Sequence, residues 1–124
     1  MTADEYSPLG LAYIGDAVYE LLIRSRVMSG GQKPVGALHN ASANSARASS
    51  QATAYMLLMD SGRLTEKEVE ILKRGRNAKS ASRAKNASVI DYRHATGLEA
   101  LFGYLYLSGD EERIKELFEL CEQI

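Results

Sequence analysis

Residues 11–23 (LAYIGDAVYELLI) and 95–107 (ATGLEALFGYLYL) are apolar nearly all the way round a helix. Helices of that kind are normally buried. Yet the first carries Asp16 and Glu20, and the second carries Glu99, where core residues are expected. An ionised carboxylate is expensive to bury unless it is paired or coordinates a metal. Any fold for this chain must therefore take both segments inside and still compensate Asp16 and Glu99. A divalent cation held between the two helices would do so. Salt bridges to arginines, or a place at the water-exposed helix ends, would also do so, and chemistry alone does not choose.

The rest of the chain reads as further helices. Ser7 is a candidate cap with Pro8 at the first helical position, opening a helix from about residue 9 to 28. With Asp16 at 0° and about 100° per residue, Leu11, Ile14, Val18, Leu21 and Leu22 fall between about 140° and 240°, the expected core stripe. Ala12, Tyr13 and Glu20 lie within about 60° of Asp16, on a second face. Gly15 costs about 1 kcal/mol against alanine in a helix, which is tolerable where another backbone comes close. Ser29-Gly30-Gly31 ends this helix. A short helix is expected at 35–39. A long one, rich in Ala and Ser, is expected at 41–60. A Thr65–Glu68 capping box starts another, which Gly75 ends or kinks. Residues 76–88 lack apolar periodicity and read as an exposed loop. The second acidic helix runs from Ser88 or Val89 to Leu107. Asp110 caps a last helix with Ile114, Leu117, Phe118 and Cys121 facing in. No strand pattern or internal repeat is present.

At 124 residues the chain suits one domain with one core. No apolar run is long enough to span a bilayer. The acidic N-terminus lacks the features of a signal peptide. The lone Cys121 cannot form an internal disulfide, which fits a reducing compartment. Zinc-site spacings are absent. His39 and His94 have no Ser, Cys or His partner at useful spacing, which argues against nucleophilic catalysis; both read as surface or packing residues, as do Tyr104 and Tyr106. The net charge is only −1, but residues 73–85 (KRGRNAKSASRAK) hold six Lys or Arg and no acid, leaving −7 on the remainder. A basic segment on an acidic body suits a local polyanion contact.

Leu11-Ala-Tyr-Ile-Gly-Asp-Ala-Val-Tyr-Glu20 resembles the signature helix of the ribonuclease III family, and Leu98-Glu-Ala-Leu-Phe-Gly-Tyr-Leu-Tyr106 resembles its second acidic helix. Lys73-Arg-Gly-Arg-Asn-Ala-Lys-Ser80, Lys85-Asn86 and Tyr92-Arg93 resemble the Mini-III branch, a short catalytic domain without a separate double-stranded-RNA-binding domain. The likeness runs from about residue 9 to 120.

It implies an all-α, ribonuclease III-like helical bundle over residues 1–124, acting as a cytoplasmic homodimer. It implies Mg²⁺-dependent cleavage of double-stranded RNA, with Mn²⁺ able to substitute. A metal-activated water attacks the phosphodiester, leaving 5′-phosphate and 3′-hydroxyl ends. The substrate implied is precursor large-subunit ribosomal RNA, with a ribosomal protein as a candidate partner and no membrane. Asp16 and Glu99 would hold the metal and carry catalysis. Arg74, Arg76, Asn77, Lys79, Ser80, Arg83 and Lys85 would seat the duplex by its backbone and 2′-hydroxyls, with binding that falls steeply with salt. Tyr13, Glu20 and Thr96 are candidate neighbours of the site, Glu20 more as a salt-bridging residue than a ligand. The chain departs from the larger family at Leu9, Ala12 and Thr96, where acids are usual. Waters would fill those ligand positions, favouring one cation over two. The same departures leave open a catalytically weak or inactive RNA-binding, ribosome-assembly module of the same fold.

Overall fold

A computed structural model describes residues 2–78 and 88–122. Among them are a short 3-10 turn, Ala3–Glu5, and six helices: α1 (Pro8–Ser29), α2 (Val35–Ala46), α3 (Ala48–Asp60), α4 (Glu66–Asn77), α5 (Val89–Leu107) and α6 (Glu111–Cys121). No strand occurs among these residues. The helix starts follow from local chemistry. The side chains of Ser7, Thr65, Ser88 and Asp110 accept hydrogen bonds from the backbone N–H groups of Gly10, Glu68, Asp91 and Arg113, at 3.0–3.2 Å. Each satisfies a donor the helix itself leaves unpaired. At Thr65 the box is reciprocal, with Glu68 Oε1 accepting from Thr65 N at 2.9 Å. Gly31, at φ 112°, follows the end of α1.

α5 is the central helix, packed against α1, α3, α4 and α6. Its buried residues include Leu98, Ala100, Leu101 and Phe102, all at 0% exposure, so its all-round apolar sequence has its physical counterpart. Tyr19 of α1 meets Phe102 and Phe118 edge-on, with ring centroids 5.0 and 5.6 Å apart, a favoured aromatic geometry. Ile114, Leu117, Phe118 and Cys121 are buried as expected. Burial pushes the Cys121 thiol up to about 12, which keeps it protonated and inert. Arg113 of α6 forks onto Glu68 of α4 at 2.7 and 2.8 Å, and also donates to the Arg63 carbonyl at 2.7 Å, tying the starts of two helices together.

Glycines mark where α5 crosses its neighbours. A Cβ on Gly15 of α1 would lie 1.6 Å from the Glu99 carbonyl oxygen, and one on Gly103 would lie 2.0 Å from that of Leu11. A Cβ on Gly97 would lie 2.6 Å from the Leu72 carbonyl oxygen of α4, and one on Gly75 would lie 2.7 Å from Gly97 Cα. Main chain rests on main chain at both crossings.

Three expectations are corrected. Gly75 does not end α4, which continues to Asn77; it is the contact with Gly97 that requires a residue without Cβ. The helices expected at 35–39 and 41–60 are instead Val35–Ala46 and Ala48–Asp60, broken at Arg47, whose φ −69° and ψ 154° are extended. Polar side chains there take over the terminal carbonyls, with Ser50 Oγ donating to Asn44 O at 2.9 Å and Gln51 Nε2 to Ala46 O at 3.1 Å. Such bonds compete with helix continuation. The core stripe of α1 is also rotated. Leu11, Ala12, Gly15, Tyr19 and Ile23 are buried, while Leu21 is 65% exposed. Close backbone approach along the small-residue face wins over the bulkier one.

Candidate active site

The α1–α5 crossing positions the acids. Because the backbone of Gly15 rests on the carbonyl of Glu99, the next residue, Asp16, leaves α1 beside the point where Glu99 leaves α5. The two carboxyls come within hydrogen-bonding reach of each other. They are not equally covered: Asp16 is exposed at the rim, and Glu99 is partly buried, so the expectation that both acids occupy core positions holds for neither in full. Burial first, and then hydrogen bonding and charge repulsion from Asp16, push the Glu99 carboxyl up to about 9, with Gln51 opposing. Two carboxylates sharing a site cannot both ionise cheaply. At neutral pH the cleft therefore holds a proton on Glu99.

This sets a pH dependence. Without a cation, stability is expected to fall as pH rises from about 4.5 towards 9, because only the folded chain keeps the Glu99 proton through that window. Urea unfolding in chelator across this range reads the slope, and Glu99→Gln is expected to flatten it. A slope unaltered by that substitution would place the proton on another group.

Gln51, on α3, is the third polar group of the cleft. It is 4% exposed, its amide reaches Glu99, and its Oε1 is buried without a hydrogen-bond partner. Asp16 and Glu99 offer carboxylate oxygens, and the Gln51 amide lies beside Glu99. Among the described residues no group of three or more His, Cys, Asp and Glu could hold a metal. Zinc sites need more protein ligands. Magnesium often keeps several waters and needs only one or two carboxylates, and the residues present fit such a cation.

The neighbouring candidates are placed differently. Glu20 pairs with Arg24 at 3.0 Å. Thr96 is buried and donates its hydroxyl to the Tyr92 carbonyl at 3.0 Å, so it turns into its own helix. Tyr13 is 84% exposed. Of the basic residues, Arg74 and Asn77 are exposed and Arg76 is half-buried at the end of α4, with Arg76 Nε donating to Asn77 Oδ1 at 3.1 Å. Lys79, Ser80, Arg83 and Lys85 lie outside the described residues, as does most of the expected 76–88 loop; Arg76 and Asn77 themselves are helical. Arg76 and Asn77 line a small hollow with Ile90, Arg93 and His94, so the basic surface extends onto the start of α5. His94 stacks on Tyr55 at 4.6 Å between centroids, and His39 is exposed. Sequence reasoning missed Gln51 and gave Arg93 no role. The signal for Gln51 was an amide among small residues with no charge to explain it.

The model of the ribonuclease III domain matches residues 9–110. A Mini-ribonuclease 3 of Brevibacillus brevis is 50% identical over 113 residues, covering 91% of this chain and 83% of the relative. One of a Thermoanaerobacter species is 46% identical over 118 residues, covering 95% and 82%. A crystal structure of a Fusobacterium nucleatum protein superposes with a TM-score of 0.85 at 31% identity, covering 97% of this chain and 96% of the other.

Proposed function

Given that this chain belongs to the ribonuclease III family, as an endoribonuclease of its Mini-III branch, we propose that it cuts double-stranded RNA at the cleft between Asp16 and Glu99. The observation that carries this is the meeting of those two acids, 83 positions apart in the chain, at the glycine crossing of α1 and α5. Asp16 and Glu99 are the residues that would hold a divalent cation, magnesium or manganese. When bound, such a cation supplies an activated water and offsets charge on the phosphate. Cleavage then leaves 5′-phosphate and 3′-hydroxyl ends. Arg74, Arg76 and Asn77 bear on the phosphates and 2′-hydroxyls of the duplex, and the side-chain chemistry of Lys79, Ser80, Arg83 and Lys85 suits the same contacts.

We read the whole of residues 1–124 as one such domain. The substrate is precursor large-subunit ribosomal RNA, presented directly or with a ribosomal protein, in the cytoplasm. No helix among the described residues is long and apolar enough to cross a membrane. The active form is a homodimer. Leu9, Tyr13, Ala17 and Leu21 repeat every four residues along α1 and all are exposed, an apolar stripe that suits a second copy.

Duplex RNA incubated with the protein and Mg²⁺ is expected to be cut, with the ends stated above, and the single strand left intact. Excess chelator is expected to stop cleavage while leaving duplex binding. Cutting that persists in chelator would reject the cation. Binding without cutting under any divalent cation would favour the RNA-binding, ribosome-assembly reading instead, which the acid-free positions Leu9, Ala12 and Thr96 support.

A further inference from the structure

Gln51 stands out among the buried polar side chains. Its Nε2 donates to the Ala46 carbonyl at 3.1 Å, the end of α2, and its amide also reaches Glu99. Those contacts use the nitrogen. The oxygen is enclosed with no donor, on a residue 4% exposed. A buried acceptor left unpaired is unfavourable, and such groups in folded proteins are rare enough to require a reason. Closing the α2–α3 joint does not supply one, because it uses only the nitrogen. Hydrated divalent cations present water O–H groups, which are strong donors, and groups that bind those waters or steady the ligands tune the site.

We propose that Gln51 is a positioning residue of the cation site: its amide nitrogen steadies Glu99, and its carbonyl oxygen receives a hydrogen bond from water carried by the cation. The proposal rests on the reading of Asp16 and Glu99 as cation-holding residues. It assigns α3 a share in the site that the two acidic helices do not reveal. It also explains how two carboxylates suffice, since a neutral oxygen supports the hydration that missing acids would otherwise replace.

Mn²⁺ binding to the full chain without RNA, followed by electron paramagnetic resonance, tests this apart from activity. Asp16→Asn is expected to abolish binding at the site. Gln51→Leu is expected to weaken it roughly ten- to a hundredfold, with helical circular dichroism and duplex binding in chelator retained. Gln51→Glu, which adds a third carboxylate, is expected to bind Mn²⁺ more tightly than the parent and to gain more thermal stability from it. Should Gln51→Leu fail to fold, Gln51→Glu alone decides. Parental Mn²⁺ affinity in either folded variant, with Asp16→Asn still defective, would overturn the role of Gln51 and leave the acid pair standing. Parental affinity in Asp16→Asn would overturn the cation reading itself, and the Gln51 proposal with it.

Discussion

Asp16→Asn is expected to slow duplex cleavage by roughly 1,000-fold or more, equivalent to about 4 kcal/mol of lost transition-state stabilisation. The substitution is nearly isosteric and lies at the exposed rim of the cleft, so it should leave the fold unharmed. It also removes the charge that, after burial, holds Glu99 protonated. The variant should therefore be at least as stable as the parent in chelator. Loss of cleavage without loss of stability is the combination that separates a catalytic acid from a structural one. Single-turnover cleavage of a duplex, with unfolding and RNA binding measured on the same preparation, reads all three. Cleavage at the parental rate would remove Asp16 from the site.

Gly15→Ala and Gly103→Ala are expected to be the most destabilising single-methyl changes in the chain, each by about 3 kcal/mol or more, on the order of 10 °C in Tm. The added Cβ would stand 1.6 Å from the Glu99 carbonyl oxygen in one case and 2.0 Å from the Leu11 carbonyl oxygen in the other. Backbone atoms cannot rotate aside, so one helix must lift off the other. Both substitutions break the same contact, so the double variant should lose less than the sum. Gly36→Ala is the control. A Cβ there meets nothing within 4 Å, and on a helix it should be neutral or gain up to about 1 kcal/mol. If Gly15→Ala melted like Gly36→Ala, the main-chain crossing that sets the acids together would be wrong.

What the sequence made legible was mostly local. Ser7, Thr65, Ser88 and Asp110 announce helix starts because each cap is settled within four residues. The two acids were legible as a pair because their helices are apolar enough to need burial and because they resemble known motifs. The buried face of α1 was not. Counting apolar bulk favours Leu21, whereas the fold prefers the Gly15 side, where backbones touch. Gly75 misled for the same reason, since a glycine that breaks a helix and one that admits a neighbour look alike in one dimension. The break at Arg47 depends on side chains capturing carbonyls across a turn, and composition does not encode that. Gln51 acquires meaning only when α3 is laid against α5.

α5 carries Gly97 and Gly103 six residues apart, and Glu99 sits between them. The first seats the last turns of α4, which bear Arg74 and Arg76; the second seats α1, which bears Asp16. Six residues of helix measure about 9 Å. On the proposed function, the offset between gripping a duplex and severing it is gauged along a single rod, at two notches where no side chain intervenes. A one-residue insertion between those notches would swing one attachment about 100° around the rod, so the blade and the handle would no longer face the same strand.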